Sequence, residues 1–171
     1  MGQVFYLSPS AFSRVEGLMK TYEGIKQLFE SGKLAPELIE AYQATHYRVD
    51  DPAGSFVLRI GVYSPDLASC HARYDVEHSV YITAWNPFSR QCSSAENAEA
   101  ENKLNQTVEA MGLVWIPGFG TNPDGEWPGE ASLLVLGLDG DGGQRLAHQF
   151  SQNAVVGIGL DAIPKLLVCV E

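Results

Sequence analysis

Apolar side chains recur at three- and four-residue steps from Phe12 through Val15, Leu18, Met19, Tyr22, Ile25, Leu28 and Phe29, the spacing of one face of an amphipathic helix. Ser8 stands where a cap is wanted, Pro9 suits the first helical position, and Gly32 marks the end. A second, short helix is predicted from Pro36 through Leu38, Ile39 and Tyr42. His46–Val49 and Phe56–Val62 read as two strands around the turn Asp50-Asp51-Pro52-Ala53-Gly54. Ser64-Pro65 repeats the cap-plus-proline start, opening a helix that carries Leu67, Ala68 and Tyr74.

The second half alternates more regularly. Val80–Trp85 is a strand broken by Asn86-Pro87, and Ser93-Ser94-Ala95-Glu96 has the form of a capping box. The helix it opens is expected to run to Met111 and stop at Gly112, a suitable left-handed residue. Leu113–Ile116 reads as a strand, Pro117 to Ala131 as a long loop and Ser132–Leu138 as a strand. Gly143–Ser151 reads as a helix with Asp141 as its cap, Asn153–Ile158 as a strand, and Leu166–Val170 as a last strand or tail. The order strand-helix-strand-strand-helix-strand is that of the split βαβ, ferredoxin-like fold (βαββαβ). A related mixed sheet, with the hairpin and terminal strands added at its edges, fits the same elements. The expectation is an α+β domain over residues 35–171, preceded by an N-terminal helical extension over residues 1–34.

Length and composition agree with one domain: 171 residues, 45% hydrophobic and 19% charged, enough to bury a core. The longest apolar runs, near Leu133–Leu138 and Leu166–Val170, are too short to cross a bilayer, and with no basic and apolar leader pattern no secretory signal is expected. The net charge of −10 is uneven: residues 1–60 hold six basic and seven acidic side chains, residues 61–171 five and fourteen. A surface so short of Lys and Arg is a poor match for phosphates, so neither nucleic acid nor a membrane is expected as partner. Cys70, Cys92 and Cys169 are widely spaced and fit reduced thiols of a cytoplasmic protein.

Candidate chemistry gathers around Thr83-Ala84-Trp85-Asn86-Pro87-Phe88-Ser89. On the following helix the stripe 97, 101, 104, 108, 111 carries Leu104, Val108 and Met111, which should face the sheet, and also Asn97 and Glu101. Polar groups on a core-facing stripe need partners, since an unpaired buried amide costs about 1–3 kcal/mol. Two readings follow. Asn97 and Glu101 bond the backbone of the Asn86–Gln91 loop and hold it shut, or they line a ligand site where a strand end meets a helix start.

The loop after Pro117 adds Phe119, Trp127, Asp124, Glu126 and Glu130, but no basic residue and no phosphate-binding pattern. Its acids suit either a hard cation or a plain exposed turn. Asp139-Gly140-Asp141-Gly142 resembles the start of a calcium loop, but the twelfth position is Phe150 where a bidentate Glu is required. Gln152 and Asn153 sit where the last helix hands over to a strand. No nucleophile elbow or zincin motif occurs, and no metal or cofactor is expected.

Several separated motifs carry a resemblance: Ala41-Tyr42-x-Ala44-Thr45-His46-Tyr47-x-Val49; Ile82-Thr83-Ala84-Trp85-Asn86-Pro87 with Glu96-Asn97; Trp127-Pro128-x-Glu130-x-Ser132-Leu133-Leu134-Val135-Leu136-Gly137; and Phe150-x-Gln152-Asn153-Ala154. Over about residues 38–158 the chain resembles a bacterial family of small proteins, domain of unknown function 3293. The resemblance implies a bacterial source and a stand-alone domain, and transfers no activity and no catalytic residue. The leading expectation is a non-catalytic binding module, with a cleft of Trp85, Asn86, Asn97, Glu101, Trp127, Glu130, Gln152 and Asn153 that holds a small polar ligand or a protein partner. The alternatives are a small enzyme with Glu101 or Glu130 as general base, with or without a divalent metal, and a structural or regulatory homodimer formed through the N-terminal helix.

Overall fold

The computed structural model describes residues 36–89, 91–121 and 129–169, so the helix expected before Gly32 lies outside it. In chain order the elements are α1 (Pro36–Ala44), β1 (His46–Val49), β2 (Phe56–Leu58), α2 (Pro65–Tyr74), β3 (Ser79–Ile82), a short 3-10 turn (Pro87–Ser89), α3 (Ser94–Ala110), β4 (Trp115–Thr121), β5 (Glu130–Leu136), α4 (Gly140–Gln149), β6 (Ala154–Ile158) and β7 (Lys165–Val168). The seven strands form one sheet in the order β2-β1-β4-β5-β3-β6-β7, with every neighbouring pair antiparallel. The architecture is α+β. The hairpin β1–β2 sits at one edge and β7 at the other.

Side chains alternate across this sheet and divide the core in two. Tyr81, Leu134, Leu136, Val156 and Ile158 pack with Leu67 and Cys70 of α2 on one face. Val80, Ile82, Leu133, Val135 and Val155 pack with Leu104 and Val108 of α3 and with Leu146 and Ala147 of α4 on the other. Near-continuous burial of β3 and β5 follows, since both faces are covered. Register places one set of strand ends together: His46 opposite Thr121, Gly120 opposite Glu130, Ile82 opposite Leu133, and Ala154 opposite Val168.

Local signals located α2 and α3 well. Ser64 Oγ accepts from the Leu67 amide, and Ser93 and Glu96 form the reciprocal capping box. Gly112 takes a φ of +71° after α3. Several boundaries differ from expectation, among them the end of β3 at Ile82 rather than Trp85. Asp139, not Asp141, caps α4, accepting from the Gly142 amide at 2.7 Å, so the helix starts at Gly140. Met111 falls at the C-cap and is 47% exposed, because the helix ends before the stripe can return it to the sheet. β2 stops at Leu58, and the chain turns at Gly61. The expected loop from Pro117 is strand as far as Thr121, and β5 begins two residues before Ser132.

That last difference has a packing cause. Gly118 reads as a turn residue but lies in the sheet, where a Cβ would stand 2.5 Å from the Arg48 carbonyl oxygen and 2.7 Å from the Tyr81 hydroxyl. The missing side chain lets Tyr81 lie across β4 and donate to the Arg48 carbonyl at 2.9 Å. Tyr47 meets the Tyr81 ring edge-on, with centroids 5.3 Å apart.

The hairpin turn is tied to α2. Asp51, buried, accepts from the Ala53 amide at 2.9 Å and pairs with Arg73. Burial alone would raise the Asp51 carboxyl, but the Ala53 amide, the Cys70 thiol and the Arg73 guanidinium outweigh it and hold the carboxyl below the ordinary value. The Cys70 thiol, buried beside that carboxylate, is pushed up to about 12. Directly after Cys70, His71 Nε2 lies 2.8 Å from Ser79 Oγ, and burial, with His78 nearby, lowers its pKa.

Two stability measurements follow. Gly118→Ala is expected to lower stability by about 1–3 kcal/mol in urea unfolding, as an overpacked site does. Gly112→Ala meets no atom within 4 Å, and should cost only the left-handed strain of about 1–2 kcal/mol. For His71 the folded state binds protons less readily than the unfolded chain. Its contribution is complete above about pH 6.5 and is lost as pH falls toward its own lowered pKa. The urea midpoint should therefore drop between about pH 7 and about pH 5, and His71→Gln should flatten that drop.

Candidate functional site: a bonded polar sheet end

β3 delivers the chain to Trp85 and Asn86 at the sheet end defined by the start of β5 and of β6. Thr83 Oγ1 donates to the Ala131 carbonyl at 2.8 Å and accepts from the Trp85 amide at 3.0 Å, which turns the strand out of the sheet. Asn86 then adopts a φ of 54° and Phe88 one of 50°. This tight path lets a single asparagine bond in several directions.

The Asn86 amide donates to Asn97 Oδ1 at 2.8 Å, and Asn97 Nδ2 donates back to Asn86 Oδ1 at 2.9 Å. Asn86 Oδ1 also accepts from the Cys92 amide at 3.2 Å, and Asn86 Nδ2 donates to Glu130 Oε1 at 2.5 Å. One side chain thus joins β3, the loop before α3, α3 itself and β5. Beside it Trp85 Nε1 donates to Glu101 Oε2 at 3.1 Å, and Gln152 Nε2 donates to the Trp85 carbonyl at 3.0 Å. The Phe88 amide donates to the carbonyl of Ser151, itself left-handed at φ 55°.

Of the residues singled out in the sequence, Trp85, Asn86, Asn97, Glu101, Glu130 and Gln152 therefore stand in one connected region. Asn86, Asn97, Glu130 and Gln152 are buried, while Trp85 and Glu101 are half-buried. Asn153 is buried at the start of β6, where its carbonyl accepts from the Cys169 amide at 2.8 Å. Trp127, like Asp124 and Glu126, lies outside the described residues.

Glu130 has an aromatic neighbour, Tyr42, that was not among the candidate site residues. Glu130 itself is 1% exposed. The Tyr42 phenol is held far above its ordinary value by burial and then by the Glu130 charge. Tyr47 donates to the Tyr42 carbonyl at 2.7 Å, and Tyr42, Tyr47, Tyr81 and Thr83 are among the residues lining a cavity of about 10 Å³, close to the minimum for one water. The visible signal was phase: Tyr47 and Val49 alternate inward on β1, opposite Gly120 and Gly118. Asn105, one turn beyond Glu101 on α3, carried no sequence signal, and His46 entered only as a member of the strand and motif at 46–49. Asn105 Oδ1 and His46 Nε2 are buried without a hydrogen-bond partner. Among the described residues no group of three His, Cys, Asp or Glu side chains is placed to hold a metal ion, and no helix is long and apolar enough to cross a membrane.

The fold and site define an antiparallel-sheet α+β domain with an amide–carboxylate cluster at one sheet end. Residues 82–155 of it match the family model described as Protein of unknown function (DUF3293). The resemblance read from separated motifs is thus shown over a span that runs from the end of β3 into β6 and contains all of Trp85, Asn86, Asn97, Glu101, Glu130, Gln152 and Asn153. No curated protein and no solved structure matches the chain.

Removing the hub separates its two properties. Asn86→Ala and Asn86→Gly both leave Glu130 without its amide donor and should each destabilise the protein by at least about 1–3 kcal/mol. Glycine accepts the left-handed backbone freely, so Asn86→Gly should remain about 1 kcal/mol more stable than Asn86→Ala in urea unfolding.

Proposed function

We propose that this sheet end is a binding site for a small polar ligand or a peptide segment, and that the protein is a non-catalytic binding module. The observation that carries the reading is a half-buried pair, Trp85 and Glu101, bonded to each other and mounted on a buried frame of Asn86, Asn97 and Glu130. A recognition surface works when the groups that touch the ligand are fixed by a second layer that does not move. Asn86 and Asn97 are spent on that second layer. Contact with the ligand falls to the Trp85 ring and the Glu101 carboxylate. The acidic balance of residues 61–171 favours a neutral or cationic ligand over nucleic acid.

The scaffold reading goes with it. The four central strands lie in the order β4-β5-β3-β6, with α3 and α4 packed on the same face, which supports a split βαβ, ferredoxin-like unit widened by the hairpin and by β7. A second reading, an enzyme with Glu130 or Glu101 as general base, has in its favour the burial of Glu130 beside the Tyr42 phenol.

The test follows the Trp85 indole N–H, whose nuclear magnetic resonance signal is assigned by its loss in Trp85→Phe. At least one member of a panel of free amino acids, alkyl amines and sugar alcohols should shift it saturably, and Glu101→Ala should weaken that binding about ten-fold or more. A panel that leaves the Trp85 signal in place rejects the binding reading.

A further inference from the structure

β7 is the outermost strand on its side of the sheet among the described residues. Such a strand presents a row of backbone groups able to pair with another chain. The register identifies them. The Cys169 amide donates to the Asn153 carbonyl, so Cys169, Leu167 and Lys165 turn their backbone groups toward β6, while Val168 and Leu166 turn theirs outward. One of the outward groups is already taken: Gln144 on α4 donates Nε2 to the Val168 carbonyl at 2.8 Å.

Gln144 reaches that carbonyl because α4 is seated closely on β7. Leu167 fills a space left by two glycines. A Cβ on Gly157 would stand 2.5 Å from Leu167 Cδ1, and one on Gly140 would stand 3.0 Å from the same atom. Gly140 and Gln144 are four residues apart and share a side of the helix. The glycine that admits Leu167 therefore sits one turn before the glutamine that reaches around the edge.

We propose that Gln144 guards the β7 edge, occupying the outward carbonyl of Val168 and so blocking antiparallel pairing of β7 with β7 of a second copy of this chain. The strand suits such pairing. Leu166, Leu167 and Val168 are half-buried aliphatic residues with no proline or charge among them, and the Lys165 ammonium is held by Asp161 at 2.5 Å. A two-fold axis pairs an antiparallel strand with itself, so a second copy completes the edge without any other partner. The opposite edge, β2, is three residues long and offers a shorter template.

The experiment measures weight-average mass against concentration by sedimentation for the full chain and three variants. Gln144→Met keeps the length and removes the donor, Gln144→Lys keeps a donor, and Gln144→Met/Leu166→Pro also removes an outward amide without touching the β6 ladder. The Met variant should rise with concentration toward about twice the wild-type mass. The Lys variant should follow the wild type, and the added proline should return the Met variant to the wild-type curve. A Met variant indistinguishable from wild type overturns the proposal, as does association that survives Leu166→Pro. A Met variant that fails to fold overturns it too, by assigning Gln144 to the stability of the single chain.

Discussion

Asn86 holds a left-handed backbone conformation that is free to glycine, tolerated by asparagine and aspartate and costly to other residues, and from it the residue uses its own amide and both ends of its side chain. The rest of the sheet end depends on that economy. Glu130 is a carboxylate with 1% of its surface exposed, and a carboxylate in that position is tolerated only when donors converge on it. Asn97 lies on the core-facing side of α3, where an unbonded amide would work against packing. Each group needs a partner, and Asn86 bonds both. Asn86 also fixes how far α3 can stand from β5, because the Asn97 and Glu130 bonds run in opposite directions from one side chain.

Much of this arrangement was legible in the sequence. The capping box at Ser93, the polar positions 97 and 101 on an otherwise apolar stripe, and the break at Asn86-Pro87 all point to one place, and the structure brings those residues together. The position of Glu130 was harder to read, since Pro117, Gly118 and Gly120 have the composition of a loop. Gly118 is in the sheet because Tyr81 occupies the room its side chain would take, a contact between segments 37 residues apart that no local pattern announces. For the same reason no local pattern places Tyr42 near Glu130. Met111 was misplaced by one step of helix geometry: the stripe is correct, but the helix ends before completing its next turn. The expectations for Trp127 and for the helix before Gly32 fall outside the described residues.

The distribution of bonds also divides the labour at this end of the molecule. Asn86 and Asn97 exchange two hydrogen bonds with each other, and the side chain of Asn86 is further committed to Cys92 and Glu130. A ligand that drew on those amides would first have to open the junction of β3 with α3, which would compromise the fold that presents them. Trp85 and Glu101 carry no such burden: one indole–carboxylate bond links them, and both keep part of their surface in solvent. Gln152 fixes the Trp85 backbone from the opposite side, and Phe88 ties the following turn to Ser151, so the ring is anchored where its chain turns out of the sheet.

Rigidity here comes from long-range polar bonds rather than from secondary structure. Among the described residues between Ile82 and Ser94 there are one short 3-10 turn, two left-handed residues and no strand, a composition that elsewhere would mean mobility. Instead the segment is pinned by α3, by β5 and by the residues that precede β6. Loss of any one of these anchors should loosen the others, because the donors and acceptors are shared and a buried polar network that is partly satisfied is worse than an apolar core. The same logic explains why the two helices on this face cannot be treated separately. α3 is held through Asn97 and Glu101 to the segment that Gln152, between α4 and β6, also grips, so the polar sheet end sets the relation between α3, α4 and the strands beneath them.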